Sequence, residues 1–386
     1  MIVIRKILDF FSDGVFSLIA LLQPFFKKDV YFFRDTWERY TELIDSYTLF
    51  EYMHSKGFEC YYIVDKAHPL CESILAAYPK NIITLNNDNI MGSLHIRHFT
   101  KFLRLKIYFS AWGYEVQTPS FHEFVYNNKR IDYIFLQHGV TLLKSFVFDL
   151  YNNTIFNKIL VSNEYEKEIV KKYMGYNERN IIKAAMPRFE RLNFQKEKPQ
   201  KRSIAFFMTW RLSFKTIDYK KSKYYERINS LLDNKRLNAL IEKYDVKINL
   251  ITHHALLTRD SEFSVRENFE TVNSLEASKY IKEADMLITD YSSVWADFFF
   301  QQKPVVFYRL DYGDPLLIEQ DKKDAEFAKL SDEILFNVCY DEEKVVDLVE
   351  KYIKNNFELE EENKKITDKF FYCKENICQK IVEELR

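Results

Sequence analysis

The sequence predicts an α/β protein of two facing Rossmann-like domains with parallel sheets, followed by a C-terminal helical tail. Three observations carry this. Short apolar runs alternate with stretches of helical spacing, as parallel sheets covered on both faces require. A charged stretch at 195–202, Gln-Lys-Glu-Lys-Pro-Gln-Lys-Arg, interrupts that alternation near the middle. Beyond about residue 340 only charged, helical patterns remain. A length of 386 residues suits two domains of ordinary size.

In order, Val30–Phe33 is the first strand, and Tyr47–Lys56 a helix closed by Gly57, a usual C-terminal stop. Strands follow at Cys60–Val64, Asn81–Leu85, Leu105–Ser110, Tyr133–Leu136 and Ile159–Ser162, the last backed by a charged helix at Glu164–Met174. After the linker come a strand at Ser203–Met208, helix over Lys223–Tyr244, a strand at Lys247–Thr252 and a helix at Ser274–Glu283. Residues 285–308 then form one β-turn-α-β unit: strand Met286–Thr289, polar turn Asp290–Ser293, helix Val294–Gln301, a stop at Lys303-Pro304, and strand Val305–Tyr308. The expected domains are therefore 29–194, 203–340 and a tail at 341–386, preceded by a distinct segment at 1–28.

Composition narrows the chemistry. Hydrophobic content of 47% supplies real cores, and 7 glycines are few for a chain with 34 Phe and 26 Tyr. Neither GxGxxG nor a Walker A pattern is present, so phosphate binding has to use helix N-termini and side chains. A net charge of −1 makes no case for nucleic acid as a partner. The 5 cysteines are scattered without a CxxC pair, which fits a reducing, cytoplasmic compartment better than a disulfide framework or zinc site. No carboxylate cluster marks a metal site, and metal dependence stays open.

Residues 1–28 contain Arg5 and Lys6, an apolar stretch at Val15–Leu22, and Pro24, Phe25, Phe26, Lys27 and Lys28. The apolar core is too short to span a bilayer of ~30 Å and lacks a signal-peptide cleavage site. Two readings stay open: an interfacial, basic amphipathic anchor on a membrane surface, or a first helix packed on the body.

In open α/β sheets, ligands bind at the carboxyl ends of strands. Four strands end there in polar residues: Gln137-His138-Gly139, Thr209-Trp210-Arg211, His253-His254 and Asp290-Tyr291-Ser292-Ser293. His138 precedes Gly139, so a sharp turn is expected to expose its imidazole, whose neutral form can take a proton from an attacking hydroxyl. Arg211 offers a planar fork matched to phosphate. His253 and His254 are adjacent on an extended strand and form a poor chelate; one is expected to face the site. Ser292 and Ser293 either donate to a phosphate or cap the helix. Asp290 either caps or orients a neighbour, and Arg188 either binds the ligand or pairs with Glu190.

Taken together, these strand ends resemble the CDP-glycerol glycerophosphotransferase family, which builds teichoic acids and related capsular polymers. Gln-His-Gly at 137–139 is similar to the family's His-Gly motif. Met-Pro-Arg at 186–188 resembles its Gly-x-Pro-Arg, and Thr-Trp-Arg at 209–211 its Pro-Thr-Trp-Arg. His253-His254 falls where the family has His-Pro, and Leu-Ile-Thr-Asp-Tyr-Ser-Ser at 287–293 is the most specific match. Met186 and Phe189-Glu190 depart from the family pattern, and 371–376 lacks its Asp-Gly.

The resemblance implies a glycosyltransferase-B type fold and transfer of glycerol phosphate, or a related polyol phosphate, from a CDP-linked donor to a hydroxyl of an envelope glycan or lipid-linked polymer, releasing CMP. It implies His138 as base, with Gly139, Arg188, Thr209, Arg211, His253, His254, Asp290, Ser292 and Ser293 around the donor. The CDP-polyol is then a co-substrate, with no further cofactor expected. The protein is expected to be cytoplasmic and peripheral on the inner membrane face. Two alternatives are a nucleotide-sugar glycosyltransferase of the same fold and a catalytically silent assembly module.

Overall fold

The computed structural model describes residues 14–15, 17–35, 45–85, 98–111, 131–143, 151, 154–192, 202–252, 268–273 and 277–385. The chain divides into two compact units. The first comprises Met1–His138, Phe146–Glu190 and Tyr372–Arg386, and the second Gly139–Ser145 and Arg191–Phe371.

Among the described residues, the first unit carries seven strands: β1 (Val30–Arg34), β2 (Glu59–Asp65), β3 (Ile82–Leu85), β4 (Leu105–Ser110), β5 (Asp132–Phe135), β6 (Lys158–Val161) and β7 (Ile181–Lys183). They form one parallel sheet in the order β3-β2-β1-β4-β5-β6-β7. Their runs of Val, Ile, Phe and Tyr are buried between helices on either face, as in Phe32, Phe33, Tyr108 and Ile134, all at most 1% exposed. Sheet order reverses between β1 and β4.

The second unit carries β8 (Ser203–Phe207), β9 (Lys247–Thr252), β10 (Phe269–Asn273), β11 (Met286–Thr289), β12 (Val305–Tyr308) and β13 (Val338–Cys339) among the described residues. This parallel sheet has the order β10-β9-β8-β11-β12-β13, reversing between β8 and β11. Opposed pairs Phe207↔Thr289 and Phe206↔Ile288 bring the two strands to a common carboxyl end.

Several details differ from the sequence-based expectation. The helix expected over Lys223–Tyr244 is two, Lys223–Asp233 and Lys235–Lys243. Asn234 divides them because its side chain accepts from the N–H groups of Arg236 and Leu237, both at 3.0 Å, and so starts a new helix. The edge strands β7 and β10 and the short β13 add to the expected set. The tail at 341–386 is not a separate body. Glu342–Lys354 and Glu361–Phe370 pack in the second unit, while Ile377–Glu384 belongs to the first. There the Tyr372 N–H donates to Ser162 O (2.9 Å), and the Cys378 N–H to Glu190 (2.8 Å). Glu190 thus anchors the terminal helix, whereas Arg188 pairs with Asp45.

Near the N-terminus, residues 17–22 are helical. Ile19 is fully buried in the first unit's core, yet Leu21 and Phe25 are 68% and 81% exposed. Among the described residues no helix is long and apolar enough to cross a membrane.

Candidate functional site

In the second unit the site grows from the β8/β11 reversal. β8 runs on into Thr209-Trp210-Arg211 and β11 into Asp290-Tyr291-Ser292-Ser293. Arg211 is buried, and all five of its N–H donors are engaged. Nε donates to Asp311 (2.6 Å), Nη2 to Asp311 (3.0 Å) and Asp290 (2.7 Å), and Nη1 to the Thr209 carbonyl (2.8 Å) and hydroxyl (2.6 Å). Both carboxylates are fully buried. Burial disfavours the guanidinium charge, but Asp311 and Asp290 outweigh it and hold the group protonated far above its usual range. Asp290 also accepts from the N–H groups of Thr209 (2.9 Å) and Tyr291 (2.6 Å).

Tyr291 lies between two guanidinium groups, 4.7 Å from Arg211 and 4.9 Å from Arg309. Arg309 follows β12; its Nη1 donates to the Asp290 carbonyl and its Nη2 to Asp332 (3.0 Å). The residue that opens the Ser292–Ser293 turn is therefore held by both its carboxylate and its carbonyl.

The turn leads into the helix Trp295–Phe300, which has no side-chain cap. Ser292 Oγ accepts a 3.3 Å bond from the Val294 N–H, which leaves its own proton for donation. Ser293 is half-buried and abuts Gly139: a Cβ built at Gly139 would collide with both Oγ and Cβ of Ser293. Gly139 is glycine for lack of space. The chain bends at His138 and Gly139, and the left-handed residue of this segment is Gln137, at φ 61°, a conformation costing a non-glycine residue on the order of 1–3 kcal/mol.

In the first unit, His138 follows β5 and is half-buried, 6.4 Å from the Phe135 ring. Arg188 donates to the fully buried Asp45 through Nη1 (2.8 Å) and its backbone N–H (2.9 Å), and stacks 4.9 Å from Phe189. Asp35, at the carboxyl end of β1, accepts from the Tyr47 N–H (3.2 Å) and the Tyr62 hydroxyl (3.0 Å). Burial, reinforced by the neighbouring Asp45 carboxylate, pushes the Asp35 carboxyl up to about 6.

The structure thus gathers Gly139, Thr209, Arg211, Asp290, Ser292 and Ser293 in the second unit, and places His138 and Arg188 in the first. His253 and His254 lie outside the described residues. Thr209, Arg211 and Asp290, expected around the donor, instead satisfy one another, so Asp290 orients its neighbours and does not cap the helix. Three further residues, Asp311, Arg309 and Asp35, serve these edges; the ends of β12 and β1, treated like the other four strand ends, would have marked them. Asp45, the partner of Arg188, has no such signal. Among the described residues no group of three or more His, Cys, Asp or Glu is arranged to hold a metal.

Two parallel α/β sheets, each reversing its strand order once, define a glycosyltransferase-B type fold. A variant of the wall teichoic acid polymerase TagF shares it, with a TM-score of 0.59 at 16% identity over 97% of this chain and 92% of that one. The chain belongs to the family described as CDP-Glycerol:Poly(glycerophosphate) glycerophosphotransferase, whose profile matches residues 15–385. Among its relatives is the minor teichoic acid biosynthesis protein GgaB of Bacillus subtilis (strain 168), 26% identical over 90% of this chain and 38% of GgaB. Another is the teichoic acid poly(glycerol phosphate) polymerase of Bacillus spizizenii (strain ATCC 23059 / NRRL B-14472 / W23), 32% identical over 51% of this chain and 46% of that protein. The chain spans less than half the length of either curated relative.

Proposed function

We propose that the protein transfers glycerol phosphate, or a closely related polyol phosphate, from a CDP-linked donor to a hydroxyl of a teichoic-acid-like acceptor. The observation that carries this is the Ser292–Ser293 turn, held rigidly at the β8/β11 reversal with Ser293 against Gly139, the residue after His138. In this reading the neutral His138 imidazole takes the proton of the acceptor hydroxyl. The oxygen attacks the phosphorus nearest the polyol, and the bond to CMP breaks with its electron pair leaving on CMP. The charge that develops has to be met by fixed donors, the main way proteins accelerate phosphoryl transfer. Ser292, Ser293 and the N–H groups of their turn are assigned that task, together with His253 or His254. Thr209, Arg211 and Asp290 act one step back by holding the turn.

Residues 18–28 support the further reading that the protein works on the cytoplasmic face of a membrane. Leu18, Leu21, Phe25 and Phe26 are exposed beside the exposed Lys27, a pattern suited to the interface of an anionic leaflet.

The test is calorimetric titration with CDP-glycerol, CDP-ribitol and UDP- or GDP-sugars, together with turnover, for three proteins: wild type, His138→Ala and Ser292→Ala/Ser293→Ala. His138→Ala is expected to lose about 10²–10⁴-fold in kcat while binding the donor normally, and the double variant to lose donor affinity. Preference for a UDP- or GDP-sugar would move the protein to the glycosyltransferase reading.

A further inference from the structure

Gln137 is constrained in both its backbone and its side chain. It holds a left-handed conformation, φ 61°, directly before His138. Glycine adopts that conformation without strain, so a glutamine there calls for a reason in its side chain. That side chain is buried, and its amide Nε2 donates twice: to the carbonyl of Leu160 on the neighbouring strand β6 (2.5 Å) and to Glu166 Oε1 (3.1 Å).

Glu166 is fully buried in the first turn of the helix Glu164–Met174. Its other oxygen accepts from the Ser162 N–H (2.6 Å), while its own N–H donates to the capping Asn163 side chain (2.9 Å). One carboxylate therefore ties three things together: the end of β6, the start of the helix, and the residue before His138. The Ser162 carbonyl and the Glu164 carboxylate also receive the backbone N–H and hydroxyl of Tyr372, at 2.9 and 2.6 Å. This corner of the first unit is braced from the far end of the chain.

We infer that Gln137 and Glu166 are positioning residues, a buried latch that fixes the direction in which the His138 side chain leaves the backbone. The inference rests on the reading of His138 as the base. The backbone torsions at residue 137 set the orientation of the next Cα–Cβ bond, and a base displaced by about 1 Å from its proton loses on the order of a hundredfold in rate. An amide to carboxylate contact in a dry corner is directional and resists rotation of the turn.

The experiment compares Gln137→Gly, Glu166→Gln and His138→Ala below their melting temperatures. Gln137→Gly keeps the left-handed turn without strain and removes the latch. Glu166→Gln keeps the shape and misplaces one hydrogen bond. Both are expected to lower kcat by roughly 10- to 100-fold with the KM for the CDP-linked donor changed less than about twofold. A structural role alone would lower the melting temperature and leave the kcat of the folded protein intact.

A second readout does not use activity. In protein carrying ring-labelled histidine, the signal absent from His138→Ala identifies His138, and it is expected to shift or broaden in Gln137→Gly. Wild-type kcat in both latch variants, or an unchanged His138 signal, would overturn the inference while His138→Ala remains inactive. An active His138→Ala would instead overturn the base reading, and the latch with it.

Discussion

The two sheet reversals solve the same problem with different electrostatics. At the β8/β11 end of the second unit, Arg211 sits between Asp290 and Asp311, every donor used and the whole cluster buried. At the β1 end of the first unit two carboxylates are also drawn together, and Arg188 pairs with one of them, Asp45. Among the described residues Asp35 has no cation, and its carboxyl rises to about 6. The second unit thus closes its edge around a cation enclosed by two carboxylates. The first keeps a carboxyl poised near neutrality, and at another strand end of the same sheet a histidine, the side chain whose ordinary range lies there.

Breaking the closed cluster gives the largest effect. Arg211→Ala leaves Asp290 and Asp311 buried without their cation and is expected to cost about 3–5 kcal/mol, read as a lower denaturant midpoint. Arg211→Lys should not restore it, because a point charge cannot replace a fork with five bonds. Stability of Arg211→Lys close to wild type would show that charge alone holds the edge.

The open carboxylate predicts a pH dependence. Its folded pKa lies above the unfolded value, so the stability linked to its proton is complete below about pH 4 and lost as pH rises through about 6. The loss is on the order of 3 kcal/mol at most, since Asp35 is not fully shielded from solvent. Asp35→Asn is expected to flatten the melting temperature across that window. An unchanged slope in Asp35→Asn would locate the titration elsewhere and weaken the contrast between the two edges.

Gly139 makes a tight approach within the second unit's site. Gly139→Ala forces a methyl onto Ser293, an overpacking expected to cost about 1–3 kcal/mol. Adding Ser293→Gly removes the two clashing atoms, and the nearest remaining atom, the Ser293 Cα, lies at an ordinary 3.8 Å. The double variant should therefore recover its melting temperature but not its donor affinity. If the two changes simply add in stability, residues 139 and 293 do not press on each other.

Much of this contrast is legible in the amino-acid sequence. The strand ends at 137–139, 209–211 and 290–293 are marked by period, turn and charge alone, because a buried parallel strand is a continuous apolar run and its carboxyl end is where polarity returns. Pairing over distance is not legible. Arg211 finds Asp311 100 residues on, and Arg188 finds Asp45 143 residues back. Nothing local distinguishes an arginine that binds phosphate from one already enclosed by carboxylates. The left-handed Gln137 is equally hidden, since the glycine two positions on offers the easier explanation for a turn. The edge strands β7 and β10 are faint for a related reason: one is three residues long, and the other carries Glu270, paired with Lys247, on its more exposed side.

The two units also differ at their exposed apolar patches, and this gives the smallest effect. In the first, Leu18, Leu21, Phe25 and Phe26 lie beside Lys27 and Lys28; in the second, Leu316 and Ile318 lie near the exposed Glu319, Lys322 and Lys323, with Asp314 and Asp321 buried. The first is the better matched to a negative surface. In cosedimentation with vesicles containing phosphatidylglycerol, Phe25→Ser is expected to weaken binding about tenfold, a loss of about 1.4 kcal/mol, below the full burial value of a phenylalanine at about 1.5–3 kcal/mol. Leu316→Ser is expected to change it less, because the exposed Glu319 offsets the attraction of Lys322 and Lys323 for an anionic leaflet. Equal losses in the two variants would mean that apolar area alone governs the contact, and no binding by the wild-type protein would remove the membrane from the account of this chain.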